Sequence, residues 1–136
     1  MDTLTNPSPG FRDHPEHRVS VAAFAGTVVV KFGDVVLGST ENALNLSEAG
    51  RPDVYYIPFK DLHFEFLKPS ASKTYCPFKG EASYWSATAA NLHEDDVMWA
   101  YQSPYDEMTG IKDHGAFYPG KVRIETTPTE GKLRDL

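Results

Sequence analysis

The chain has one cysteine, Cys76, in 136 residues. One thiol cannot close an internal disulfide and cannot supply a CxxC zinc pair. The five histidines (His14, His17, His63, His93, His114) show no HxxxH spacing, so no structural metal site is expected. Basic residues are in deficit, 13 against 19 acidic, giving a net charge of −6. A general nucleic-acid binder carries the opposite balance, so nucleic acid is not an expected partner. Apolar runs are short. None approaches the ~20 residues that cross a bilayer, and "MDTLTNPSPGFRDHPEH" lacks the basic start and apolar core of a signal peptide. A cytoplasmic protein with no membrane partner is the expectation. Nucleotide and hydrolase signatures are missing as well: there is no GxxxxGK[ST], no GxGxxG after a strand and no GxSxG.

What is present points to one β-rich domain, of a length that buries a real core. Residues 1–17, rich in proline and polar side chains, read as a flexible or loosely docked arm. Residues 18–125 form the domain, and 126–136 form a tail. Val28, Val29 and Val30 are β-branched, and "FGD" separates two apolar runs as a hairpin turn does. Thr27–Phe32 and Val35–Ser39 are therefore predicted to pair. "ENALNLSEAG" fits a short helix or a strand. "DVYYIPF" has strand character, stopped at Pro58. In "KDLHFEFLKP" the Asp61 cap and Leu62, Phe66 and Leu67 favour a helical turn over a strand. "GEASYWSAT", "VMWAYQSP" and "AFYPGKVRIE" read as strands, with "NLHEDD" and "YDEMTGIKDHG" as loops. The sum is six to eight short antiparallel strands and little helix: a compact sandwich or a strongly bent sheet.

Three groups of residues carry chemical interest. The first is "TYCPFKGE". Positive charge lowers a thiol's pKa, and Lys73 and Lys79 bracket Cys76. A turn through Pro77 and Gly80 would bring Lys79 and Glu81 back towards the sulfur. Two readings stand: a nucleophilic Cys76 activated by Lys79, or a small residue buried under a tight turn, the commoner fate of free cysteine. The second group is aromatic: Tyr84, Trp85, Trp99, Tyr101, Phe117 and Tyr118. Side chains alternate across a strand, so each adjacent pair sends one ring to each face. One set fills the core while the other can line a pocket. The third group is acid and imidazole. Asp113 precedes His114, which allows a Cys76–His114 dyad. "HEDD" (His93 to Asp96) fits a solvated loop better than a metal cluster, and partial exposure accounts for His63 and Glu65.

Read together, "YYIPFKDL", "TYCPFKGEASYW", "VMWAYQSP" and "GAFYPGKVRIE" resemble the DUF427 family, from Gly26 to Glu125. The motif residues by position are Tyr56, Pro58, Cys76, Pro77, Lys79, Gly80, Glu81, Tyr84, Trp99, Tyr101, Pro104, Phe117 and Tyr118. The resemblance implies a β-tent, two antiparallel sheets meeting at an angle, as in the ligand-binding domain of cereblon and in methionine-R-sulfoxide reductases. Many β-tent proteins hold zinc through two CxxC pairs, which one cysteine cannot do. A nucleotidyltransferase-like label is also used for the family. Gly38-Ser39 in "FGDVVLGSTEN" would fit it, but the Asp-x-Asp that should follow is missing.

The functional expectation is a small-molecule-binding domain with no cofactor. Its ligand would be anionic or heteroaromatic, contacted by Lys79, Glu81, Tyr84 (or Trp85), Trp99, Tyr101 and Tyr118. A structural or interaction domain is the second reading. A thiol enzyme using Cys76, Lys79 and His114, with Glu81 as an alternative proton carrier, is the third. The acidic surface and edge strands allow a monomer or a homodimer.

Overall fold

A computed structural model describes residues 6–129 of the chain. A short helix, α1 (Pro9–Asp13), precedes ten strands: β1 (Val19–Ala23), β2 (Gly26–Phe32), β3 (Val35–Thr40), β4 (Leu44–Glu48), β5 (Val54–Pro58), β6 (Leu67–Cys76), β7 (Gly80–Ala89), β8 (Leu92–Ala100), β9 (His114–Phe117) and β10 (Arg123–Pro128). Ten strands exceed the expected six to eight. The excess comes from "ENALNLSEAG", which resolves as β4, and from Leu67–Cys76, which forms β6; "HEDD" extends β8 instead of looping. Helical content is low, as expected. The "KDLHFEFLKP" segment makes two 3-10 turns, Phe59–Asp61 and Phe64–Phe66, and "YDEMTGIKDHG" contains a third at Asp106–Ile111.

The strands form two antiparallel sheets, a seven-stranded one ordered β1-β4-β5-β9-β8-β7-β6 and a three-stranded one ordered β10-β2-β3. The β2–β3 hairpin turns on Gly33-Asp34, with Gly33 at φ 60° where a side chain would be strained. The β7–β8 hairpin turns on Ala90-Asn91, both left-handed at φ 51° and 65°, the geometry that matches strand twist in a two-residue turn. Bulges interrupt β2–β3, β6–β7 and β7–β8. Each inserts residues on one side, bends its strand and adds twist.

One core fills the space between the sheets. From β2 it takes Val28, Val30 and Phe32, the alternate residues of one face, and from the large sheet Trp85, Met98 and Phe117. The other face of the large sheet carries a second cluster, including Leu46, Tyr56, Tyr84, Tyr101 and Ala116, covered partly by Met108 and Ile111 of the third 3-10 turn. Strand β7 is therefore buried on both sides through Tyr84–Ala87.

The N-terminal segment is docked. Ser8 caps α1 and is buried. Its hydroxyl donates to the carbonyl of Pro77 at 2.9 Å, and the Gly10 N–H reaches the same oxygen at 2.8 Å. Phe11 meets the Phe78 ring edge-on and His17 stacks on it at 4.3 Å. At the other end, β10 runs to Pro128, past Glu125. Residues 1–5 and 130–136, parts of the expected arm and tail, lie outside the described residues. Among those described, no helix is long and apolar enough to cross a membrane.

Candidate functional site

A cavity of about 440 Å³ opens on the second face of the large sheet, within the usual range for small-ligand sites. Neighbouring strands supply its rings: Tyr56 from β5, Tyr84 from β7, Trp99 from β8, and Tyr101 and Tyr118 just beyond β8 and β9. Tyr84 and Trp99 stand opposite each other in the β7–β8 register. Trp99 in turn packs against Tyr118 at 4.6 Å between ring centres and edge-on against Tyr56 at 6.5 Å. Each ring faces the cavity because its sheet parity sends it there. Trp85, one residue from Tyr84, points into the inter-sheet core.

One wall of the cavity is ionic. Lys79 sits in the β6–β7 turn, where its N–H donates to Cys76 O and its carbonyl accepts from Tyr105 N. Its Nζ donates to Glu48 Oε1 at 2.9 Å, and the two side chains are only 7% and 10% exposed. The other Glu48 oxygen faces His17 Nε2 at 2.8 Å, with Arg51 Nε at 4.0 Å. Burial pushes the Glu48 carboxyl up. The hydrogen bonds from Lys79 and His17 and the charges of Lys79 and Arg51 outweigh it, and the group lies below the usual carboxylate range. Arg51, Pro52 and Asp53, in the β4–β5 connection, complete the rim.

The phenols are held in their neutral form. Burial raises the Tyr101 and Tyr56 hydroxyls, and nearby acidic groups add to the effect in both. Burial, with a hydrogen bond to Tyr84, pushes Tyr118 up to about 12. Tyr84 shares a 2.8 Å hydrogen bond with Thr74 and accepts a longer one, 3.5 Å, from Tyr118.

Of the residues singled out from sequence, Lys79, Tyr84, Trp99, Tyr101 and Tyr118 share this cavity. Glu81 does not line it. It is exposed on β7, at the parity opposite to Tyr84, and the carboxylate that meets Lys79 is Glu48. Cys76 is half-buried against the second cluster, its sulfur 4.0 Å from Lys79 Nζ, and is not among the lining residues. His114 lies on β9 opposite Pro58, with Nδ1 turned to Lys112 O at 2.8 Å, and it too is absent from the lining. His93 engages Thr88 and Asp95, whereas Asp96 takes hydrogen bonds from Ser70 and Ser72, so the "HEDD" side chains diverge. His63 is tied to Val36 O.

Glu48, His17, Arg51 and Asp53 escaped the sequence reading. A signal existed for one. Leu44, Leu46 and Glu48 alternate, which places a carboxylate on the same strand face as two apolar side chains. The partnership with His17 and Lys79 left no local trace.

A family model described as "Domain of unknown function (DUF427)" matches residues 20–128. No curated protein matches the chain.

Proposed function

The chain belongs to the DUF427 family, and from that premise we propose that it binds a small planar molecule in the aromatic cavity of its large sheet. The observation that carries the reading is the convergence of Tyr56, Tyr84, Trp99, Tyr101 and Tyr118 on one recess closed by the Lys79–Glu48 pair. Apolar walls with a few fixed polar groups are the general pattern of ligand sites. Rings that served only to pack would be expected to fill the space between them.

A thermal-shift screen with heteroaromatic compounds tests this. A ligand present at a hundredfold over its Kd stabilises the folded state by about 2.7 kcal/mol, a shift of several degrees. The shift should vanish in Trp99→Ala. A screen in which no planar compound stabilises the protein, or one in which Trp99→Ala leaves the shift intact, defeats the proposal.

A further inference from the structure

Resting on that reading, we infer that the ligand is uncharged and presents a carbonyl oxygen to Tyr101 and Lys79. The argument starts from charge. At the inner wall the Lys79 ammonium and the Glu48 carboxylate meet at 2.9 Å and cancel. The exposed rim adds one charge of each sign, Arg51 and Asp53. An anion accepting from Lys79 would bring its charge up against the Glu48 carboxylate that Lys79 already holds. A cation would meet Lys79. At the inner wall either ion would give up its hydration without an unpaired counter-charge to receive it. A neutral molecule carries no such cost.

The polar groups left over define what that molecule must offer. Tyr101 is 7% exposed, and no hydrogen bond from another described residue reaches its hydroxyl. The one sealed side-chain polar atom without a partner among those residues is Asn45 Oδ1. The Tyr101 hydroxyl is therefore not sealed, and the space it reaches is the cavity it lines. It remains a phenol well above neutral pH, hence a donor. An ammonium has three N–H donors. Lys79 directs one to Glu48 Oε1 and one towards Cys76 Sγ at 4.0 Å, which leaves a donor. Two donors without acceptors, beside stacked rings, fit a ring carbonyl: an acceptor with two lone pairs, in the plane of a molecule that Trp99 and Tyr118 can cover. The Lys79 ammonium has no lone pair, so a ligand that only donates leaves it unmet.

The test uses matched bicyclic probes and the full chain, followed by NMR of the two tryptophan indole N–H signals. The probes are 2-quinolone (neutral, ring carbonyl), quinoline-2-carboxylate (anion), N-methylquinolinium (cation) and 2-methylnaphthalene (neutral, no acceptor). Trp85, in the other core, is the internal control. The expected result is that 2-quinolone moves the Trp99 signal, leaves Trp85 in place and binds at least tenfold more tightly than either ion. Tyr101→Phe removes an unpartnered hydroxyl, so the free variant should fold as the parent does. It should bind 2-quinolone about tenfold more weakly, as loss of one hydrogen bond implies, and should not weaken for 2-methylnaphthalene. If the ions bind as well as 2-quinolone, or Tyr101→Phe binds it as the parent does, the carbonyl inference is wrong while planar binding stands. If no probe moves Trp99, the binding proposal falls and takes this inference with it.

Discussion

Glu48 and Lys79 form a 2.9 Å ion pair although β4 and the β6–β7 turn lie near opposite ends of the seven-strand order. A flat sheet would hold those positions far apart, since each strand adds about 4.8 Å. The pair thus records how far the sheet curls, and the cavity is the concavity that the curl produces.

Removing one partner of that pair should cost much more than removing both. Lys79→Met leaves a buried carboxylate and Glu48→Leu a buried ammonium. Each single change should lower stability by roughly 3 kcal/mol. The double variant Lys79→Met/Glu48→Leu should recover most of the loss. Urea denaturation midpoints of the three variants measure this. Additive losses would mean the pair does not hold the sheet ends together.

Acid should weaken the fold through Glu48. Its folded pKa lies below the ordinary 4.5. The stability it contributes is therefore complete above that value and is lost as pH falls through the lower folded one. Asp61 and Asp96 are also held low, mainly by hydroxyl donors, but they stand near solvent and should add little. Between about pH 5 and pH 3 the urea midpoint should fall less steeply in Glu48→Gln than in the parent. Equal slopes would remove Glu48 from this role.

Alkali should act through the phenols. Tyr118 ionises only near 12, and Tyr56 and Tyr101 are pushed up further still. A group whose folded pKa is raised stabilises below its unfolded value, here 10, and stops doing so as pH rises through the folded one. Absorbance at about 295 nm should show these tyrosines still protonated well past pH 10 in the native protein, with unfolding and ionisation arriving together. Full ionisation of all seven tyrosines by pH 11 in a folded protein would contradict the burial described.

The two tryptophans should separate stability from binding. Trp85 is 6% exposed in the inter-sheet core, and Trp85→Ala should cost about 3–5 kcal/mol. Trp99 is half-buried at the cavity, so Trp99→Ala should cost less and abolish the ligand-induced thermal shift. Thermal melts with and without ligand make the comparison.

Much of this architecture was legible in the residues. The β2–β3 hairpin announced itself through three consecutive valines and Gly33, because branched side chains and a residue free to take positive φ are local requirements. Alternation showed that Tyr84 and Trp85 must part company. It did not say which went to the core, since that depends on which face the second sheet covers. Glu81 looked like the partner of Lys79 because it is near in sequence. The actual partner, Glu48, is distant along the chain and is brought in by curvature that arises from bulges and accumulated twist. The docking of residues 8–17 was hidden for a similar reason. It rests on Pro77 O, the Phe78 ring and the carboxylates of Glu107 and Glu48, and none of these leaves a periodic pattern.

Every strand among the described residues lies between Val19 and Pro128, so a chain begun at Val19 would keep that sheet framework. It would lose the imidazole on Glu48, the ring stacked on Phe78 and both donors on Pro77 O. The β6–β7 turn would keep its own bonds to Cys76 and Tyr105. Fold and fit are thus held by different stretches of this polypeptide. The N-terminal stretch lines none of the recess but braces its ionic wall from behind through His17, so shortening the chain there would loosen the recess without changing a strand.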